Sequence, residues 1–123
     1  MKVAILWTRL SGYLNACLKE LASREGVELF VSYQEAEQQA PYNDDQFKWI
    51  PNSLEWRTQA DLAPLDARLA AFEPEIVVFS GWNLNAYRRV TRKLNKRCWR
   101  IMVMDNCWTA TLKQRVGTLV APW

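Results

Sequence analysis

Met1-Lys-Val-Ala-Ile-Leu-Trp7 and Glu75-Ile-Val-Val-Phe-Ser80 are the two stretches whose reading decides the fold. Each contains an unbroken apolar run, Val3 to Trp7 and Ile76 to Phe79, bounded by polar or turn-forming residues. A strand with one wet face alternates apolar and polar side chains, whereas a strand covered on both faces reads as a continuous apolar run. The two runs therefore predict adjacent, central strands of a mainly parallel sheet with helices on both faces.

The rest of the chain is read outward from these runs. Thr8-Arg-Leu-Ser-Gly12 breaks the first one, and Leu14, Cys17, Leu18 and Leu21 then recur at helical spacing, with Gly26 where a C-cap glycine would sit. Val27-Glu-Leu-Phe-Val31 reads as the second strand, completing a unit about as long as a right-handed βαβ crossover requires. Tyr33 to Asp45 is polar and reads as a loop, and Phe47-Lys-Trp-Ile50 as a short strand ended by Pro51. Asp61 is expected to cap a helix with Leu62, Leu65, Leu69 and Phe72 inward and Pro64 tolerated in its first turn. Beyond Gly81-Trp-Asn83, a helix follows with Tyr87, Val90, Leu94 and Cys98 inward. Ile101 to Met104 is the last expected strand, and Leu112, Val116, Leu119 and Val120 mark a final amphipathic helix. The expected fold is thus α/β and Rossmann-like, with about five strands, in a single domain over residues 1–123.

Composition narrows the function classes. The chain has 123 residues, half of them hydrophobic, enough for one domain with its own core. No apolar run approaches the ~20 residues of a membrane span, and Met1-Lys2 leads straight into a strand without a signal-peptide layout. The chain reads as soluble and cytoplasmic, with Cys17, Cys98 and Cys107 as reduced thiols. There is no histidine, which excludes a Ser-His-Asp arrangement and leaves no ordinary metal-ligand set, so no metal is expected. Charge is unevenly spread: residues 1–87 carry a net −5 and residues 88–123 a net +8, which together give +3.

In open α/β sheets ligands bind beyond the carboxyl ends of the strands, where the strand order reverses. Three loops are expected there. The first offers Ser11 and Gly12 at a helix start, able to meet an anion or a sugar hydroxyl or simply to form the turn and cap. The second offers Gly81, Trp82 and Asn83; indoles at strand ends, Trp7, Trp82 and Trp108, can stack on a sugar ring or pack beneath loops. The third offers Asp105 and Asn106, where the carboxylate can serve as a general base or cap the next helix. Neither GxGxxG nor GxxxxGK[ST] occurs, so no cofactor is expected. Arg88, Arg89, Arg92, Lys93, Lys96 and Arg97 form an outward basic face, read as solvated or as a peripheral contact for anionic membrane at the inner surface; poor aromatic interleaving argues against nucleic acid.

Met1 to Trp7, Leu14 to Gly26, Phe72-Glu-Pro-Glu-Ile-Val-Val-Phe-Ser80, Arg100 to Asn106 and Lys113-Gln-Arg-Val-Gly117 together resemble the N-terminal domain of a GT-B-fold, family-4-like glycosyltransferase. The resemblance covers nearly the whole chain. It implies the acceptor-side domain, truncated at its C-terminus, of an enzyme that transfers a sugar from a nucleotide-sugar to a sugar or lipid-linked acceptor. By the same resemblance the nucleotide-sugar is bound only together with a further, C-terminal domain, so the isolated chain is expected to be inactive. Where that class carries histidines after its fourth and fifth strands, this chain has Ser80-Gly81 and Asp105-Asn106. The alternative is a non-catalytic doubly wound module that works through protein contacts.

Overall fold

A computed structural model describes residues 1–35, 44–80, 84–103, 109 and 111–120. Strand β1 (Lys2–Arg9) lies at the middle of a five-stranded, all-parallel sheet. It pairs with β2 (Glu28–Gln34) on one side and with β4 (Ile76–Phe79) on the other. β3 (Ser53–Trp56) extends the sheet beyond β2, and β5 (Trp99–Met102) beyond β4, giving the order β3-β2-β1-β4-β5. The two apolar runs are neighbours as expected, with Val3 opposite Ile76 and Leu6 opposite Phe79.

Side-chain alternation divides the core into two layers. Ala4, Leu6, Val77 and Phe79 face α2 (Leu65–Phe72) and α3 (Asn85–Lys93), packing with Phe30, Leu65, Leu69, Tyr87 and Val90. Val3, Ile5, Leu29 and Val31 face α1 (Gly12–Ala22), packing with Leu18. Helix α4 (Leu112–Val120) follows β5.

Several boundaries differ from those expected, each for a local reason. Phe47 and Ile50 are buried, but they close a 3-10 segment, Asp44–Phe47, and the turn after it, with Ile50 N–H donating to the Phe47 carbonyl at 3.0 Å. Apolar residues three apart share a face in such a turn, so the run imitates a strand; the true third strand, β3, follows Pro51. In α1 the expected inward Cys17 is exposed and Asn15 is buried instead, accepting a hydrogen bond from Trp49 Nε1 at 2.7 Å. Ser23 ends α1, and Gly26 serves the turn before β2, where its φ of 73° is left-handed. α3 stops at Lys93, so Lys96 and Arg97 lie in the turn before β5. The Arg100 guanidinium covers the end of α3, donating to the carbonyls of Thr91 and Leu94 at 2.8 Å.

Asp61 does not cap α2. It lies in a 3-10 segment, Gln59–Leu62, that precedes it. Its carboxylate accepts from the N–H of Thr58 at 2.7 Å, the N–H of Arg57 at 2.9 Å and the Thr58 hydroxyl at 3.2 Å. These bonds, the Thr58 N–H first, hold the carboxyl below its ordinary value of 3.8. A depressed folded pKa contributes stability above the ordinary value that is lost as pH falls through the folded one. Asp61→Ala should therefore be less stable than the native chain at neutral pH, with the gap closing as pH falls below 3.8; urea unfolding across that range measures it. Phe79, 1% exposed, is at the centre of the α2–α3 layer, and Phe79→Ala should cost ~3–5 kcal/mol in the same assay.

Candidate functional site

At the carboxyl end of the sheet, β1 turns into α1 on one face and β4 turns toward α3 on the other. The reversal of strand order between β1 and β4 is the switch point where ligands of such sheets bind. The β1–β4 ladder closes there with the Ser80 N–H donating to the Leu6 carbonyl at 2.9 Å. One residue further on, the Thr8 N–H is met by the Ser80 hydroxyl at 3.3 Å rather than by main chain. β1 shifts register against β2 between Leu6 and Arg9. The strands thus separate in front of α1, and Ser80 holds the base of the opening.

Ser11 caps α1, its Oγ accepting from the Leu14 N–H at 3.2 Å, and Gly12 is the first helical residue. A helix start leaves N–H groups without intrahelical partners, and α1 has no acid in its first turn to oppose an incoming anion or hydroxyl oxygen. Tyr13, in the first turn of α1, is 83% exposed. Sequence reasoning passed over it, although an aromatic residue directly after Gly12 was the available signal. Trp7 is half-buried against the α1 layer, which favours packing over stacking on a ligand. Gly81, Trp82, Asn83, Asp105, Asn106 and Trp108 lie outside the described residues.

A shallow cavity of about 360 Å³ opens on the same end, between the Gln59–Leu62 segment and the first turn of α3. Gln59, Asn85 and Arg89 supply its polar groups and Leu62 and Ala86 its apolar wall. A larger groove of about 940 Å³ lies at the opposite end of the sheet, between the last turns of α2 and α3, lined in part by Leu69, Ala70, Val90, Leu94, Cys98 and Trp99. Burial pushes the Cys98 thiol up from its ordinary value, so it is a packing group rather than a nucleophile. Among the described residues no cluster of metal-ligating side chains occurs.

The basic face is only partly free. Arg88 is half-buried rather than solvated, because it borders the inward row of Tyr87 and Thr91. Lys93 and Arg89 both meet Asp66 of α2, at 2.5 and 3.9 Å, and so tie α3 to α2. Arg92, Lys96 and Arg97 are exposed as expected.

Beneath the opening, α3 sends the fully buried Tyr87 under the ends of three strands. Its hydroxyl donates to the Trp7 carbonyl of β1 at 2.9 Å, with the Ser32 carbonyl of β2 at 3.2 Å. It accepts from Trp56 Nε1 of β3 at 2.9 Å and lies 3.3 Å from the Ser32 hydroxyl. One proton and two lone pairs are thereby all used. The sequence marked Tyr87 as inward, but apolar spacing says nothing of where its hydroxyl goes.

Comparison with known proteins returns no match: no protein-family model, curated protein or solved structure matches this chain.

Burial pushes the Tyr87 phenol up to about 12 from 10.0, the Ser32 and Trp56 contacts opposing it. A raised folded pKa contributes stability below pH 10 that is lost as pH rises toward 12. Tyr87→Phe leaves the Trp56 indole N–H and a strand carbonyl buried without this partner and should cost ~1–3 kcal/mol. Urea unfolding should show that cost at pH 7. It should also show native stability falling toward the variant's between pH 10 and 12; a constant gap across that window would contradict the role given to this hydroxyl.

Proposed function

We propose that this chain is the acceptor-side domain of a glycosyltransferase. It holds a hydroxyl-bearing acceptor, a sugar or lipid-linked sugar, at the opening between β1 and β4, while a second, nucleotide-binding domain holds the nucleotide-sugar. The observation that carries this reading is the character of the switch point. It offers a helix start free of acids, Ser11, Ser80 and the exposed Tyr13 ring, with the amide-bearing cavity of Gln59 and Asn85 on the same end. Such groups suit hydroxyls and a sugar ring face. The loop lacks the glycine pattern that brings backbone against a pyrophosphate, so the donor is held elsewhere. Transfer requires donor and acceptor together in near-attack geometry, which explains why one domain does not suffice.

In this proposal Asp105 is the general base for the acceptor hydroxyl, and Gly12, Gly81, Trp82, Asn83 and Asn106 complete the acceptor site. The resemblance of nearly the whole chain to the GT-B N-terminal domain supports the assignment. The compartment it gives is the cytoplasm, with the exposed Arg92, Lys96 and Arg97 making a peripheral contact with anionic membrane; no described helix is long and apolar enough to cross one. The second reading, a module working through protein contacts, is favoured by the groove of about 940 Å³ at the other end of the sheet.

Amide-resolved NMR of the purified chain, titrated with alkyl glycosides and with nucleotide-sugars, separates the two readings. Alkyl glycosides should shift the amides of Ser11 to Tyr13 and of Ser80, and no sugar should be transferred or hydrolysed. Turnover by the chain alone would overturn the division of labour. Shifts confined to the groove between α2 and α3 would favour the second reading.

A further inference from the structure

Cover on the α1 side of the sheet fails progressively from the centre to one edge. Val3, Ile76 and Trp99 stand in one row across β1, β4 and β5, and Ile5, Val78 and Ile101 in the next. Val3 and Ile5 are 4% and 6% exposed, Ile76 and Val78 are half-buried, and Trp99 and Ile101 are 74% and 47% exposed. Adjacent strands lie ~4.8 Å apart and a helix with its side chains is ~10 Å across, so one helix covers about two strands. α1 serves β1 and β2. The width of β4 and β5 is room for one more helix.

α4 is a helix of that size with an exposed apolar stripe. On α4, Leu112, Val116 and Leu119 fall on one face and are 79%, 48% and 81% exposed. Nine helical residues span ~13.5 Å, and the four residues of β4 or of β5 span ~13 Å. Among the described residues, the α4 stripe and the β5 side chains of this face are both left exposed.

We propose that two copies of this chain pair by exchanging α4, the apolar stripe of each lying across the β4–β5 face of the other. Each copy lays its helix on the exposed face of the other, so the contact is reciprocal and closes as a two-fold dimer rather than growing into a filament. The five exposed side chains offer roughly 400 Å² of apolar surface per copy. With the polar share usual in homodimers the pair buries about 1,200 Å², at the threshold of a stable specific interface. The inference does not depend on the acceptor-site reading, which concerns the carboxyl end of the sheet.

Sedimentation equilibrium on the purified chain at micromolar concentrations tests it, the expected mass being twice 14.4 kDa. Trp99→Glu with Ile101→Lys removes the sheet patch, and Leu112→Glu with Leu119→Glu removes the helix patch. All four residues are exposed, so circular dichroism should report an unchanged fold, while each pair weakens dimerisation by roughly 100-fold or more. An Ile101→Cys, Val116→Cys chain, on a Cys17→Ser, Cys107→Ser background, should oxidise to a covalent dimer. A monomeric native chain, a dimer indifferent to either pair, or a disulfide formed within one chain, which would mean that α4 covers its own sheet, would each overturn the proposal.

Discussion

The Tyr87 hydroxyl is the constraint on which the carboxyl end of this sheet depends. One oxygen from α3 engages the Trp7 carbonyl of β1, the Ser32 carbonyl and hydroxyl of β2 and the Trp56 indole of β3. A buried phenol with its single proton and both lone pairs committed has no better arrangement nearby, and each alternative strands a polar group away from water. Three strand ends and one helix are therefore held in register by a contact that is polar, directional and dry. Apolar packing fills the rest of that layer, but it is not directional enough to set where β1 stops and α1 begins.

That fixed point gives Ser80 its role. Once Trp7 is tied to Tyr87, β1 runs on to Arg9 while β4 ends at Phe79, and the Ser80 hydroxyl spans the gap to the Thr8 N–H. The opening between β1 and β4 is a geometric consequence of unequal strand lengths on a rigid base. Sites built on such a base keep their geometry while the loops around them vary. The polar groups facing the opening thus rest on strand ends tied together by the Tyr87 and Ser80 hydrogen bonds.

The central half of the fold was legible because its physics is local. Continuous apolar runs announced β1 and β4, and the 3.6-residue spacing of Leu62, Leu65, Leu69 and Phe72 announced the inward row of α2 and the segment before it. β3 was misplaced because Phe47 and Ile50 satisfy an apolar pattern in a 3-10 turn as readily as in a strand. Cys17 was assigned inward by spacing, yet Asn15 took the buried place because the Trp49 indole, 34 residues away, supplied the partner that makes a buried amide tolerable. Of the site, Ser11 and Gly12 were found as a helix start, whereas the Ser80 bridge and the Tyr87 hydroxyl depend on contacts 72 and 80 residues apart. No periodicity encodes such pairings.

The two halves of the sheet meet water in different ways, and the difference follows from sequence. On the β2–β3 side, Ser32 and Trp56 both meet the Tyr87 hydroxyl and the Ser53 carbonyl accepts from the Arg68 guanidinium. β5 instead alternates Trp99, Arg100, Ile101 and Met102, and one set of those side chains is satisfied: Arg100 caps α3 while Met102 packs on the α2–α3 layer. The other set, Trp99 and Ile101, has β-propensity and bulk suited to a covered face, yet the two are 74% and 47% exposed. A strand whose surface is solvated throughout would carry polar residues at those two positions. That it carries a tryptophan and an isoleucine, while α4 carries a matching bare stripe, makes the unfinished face a property of the sequence rather than an accident of packing.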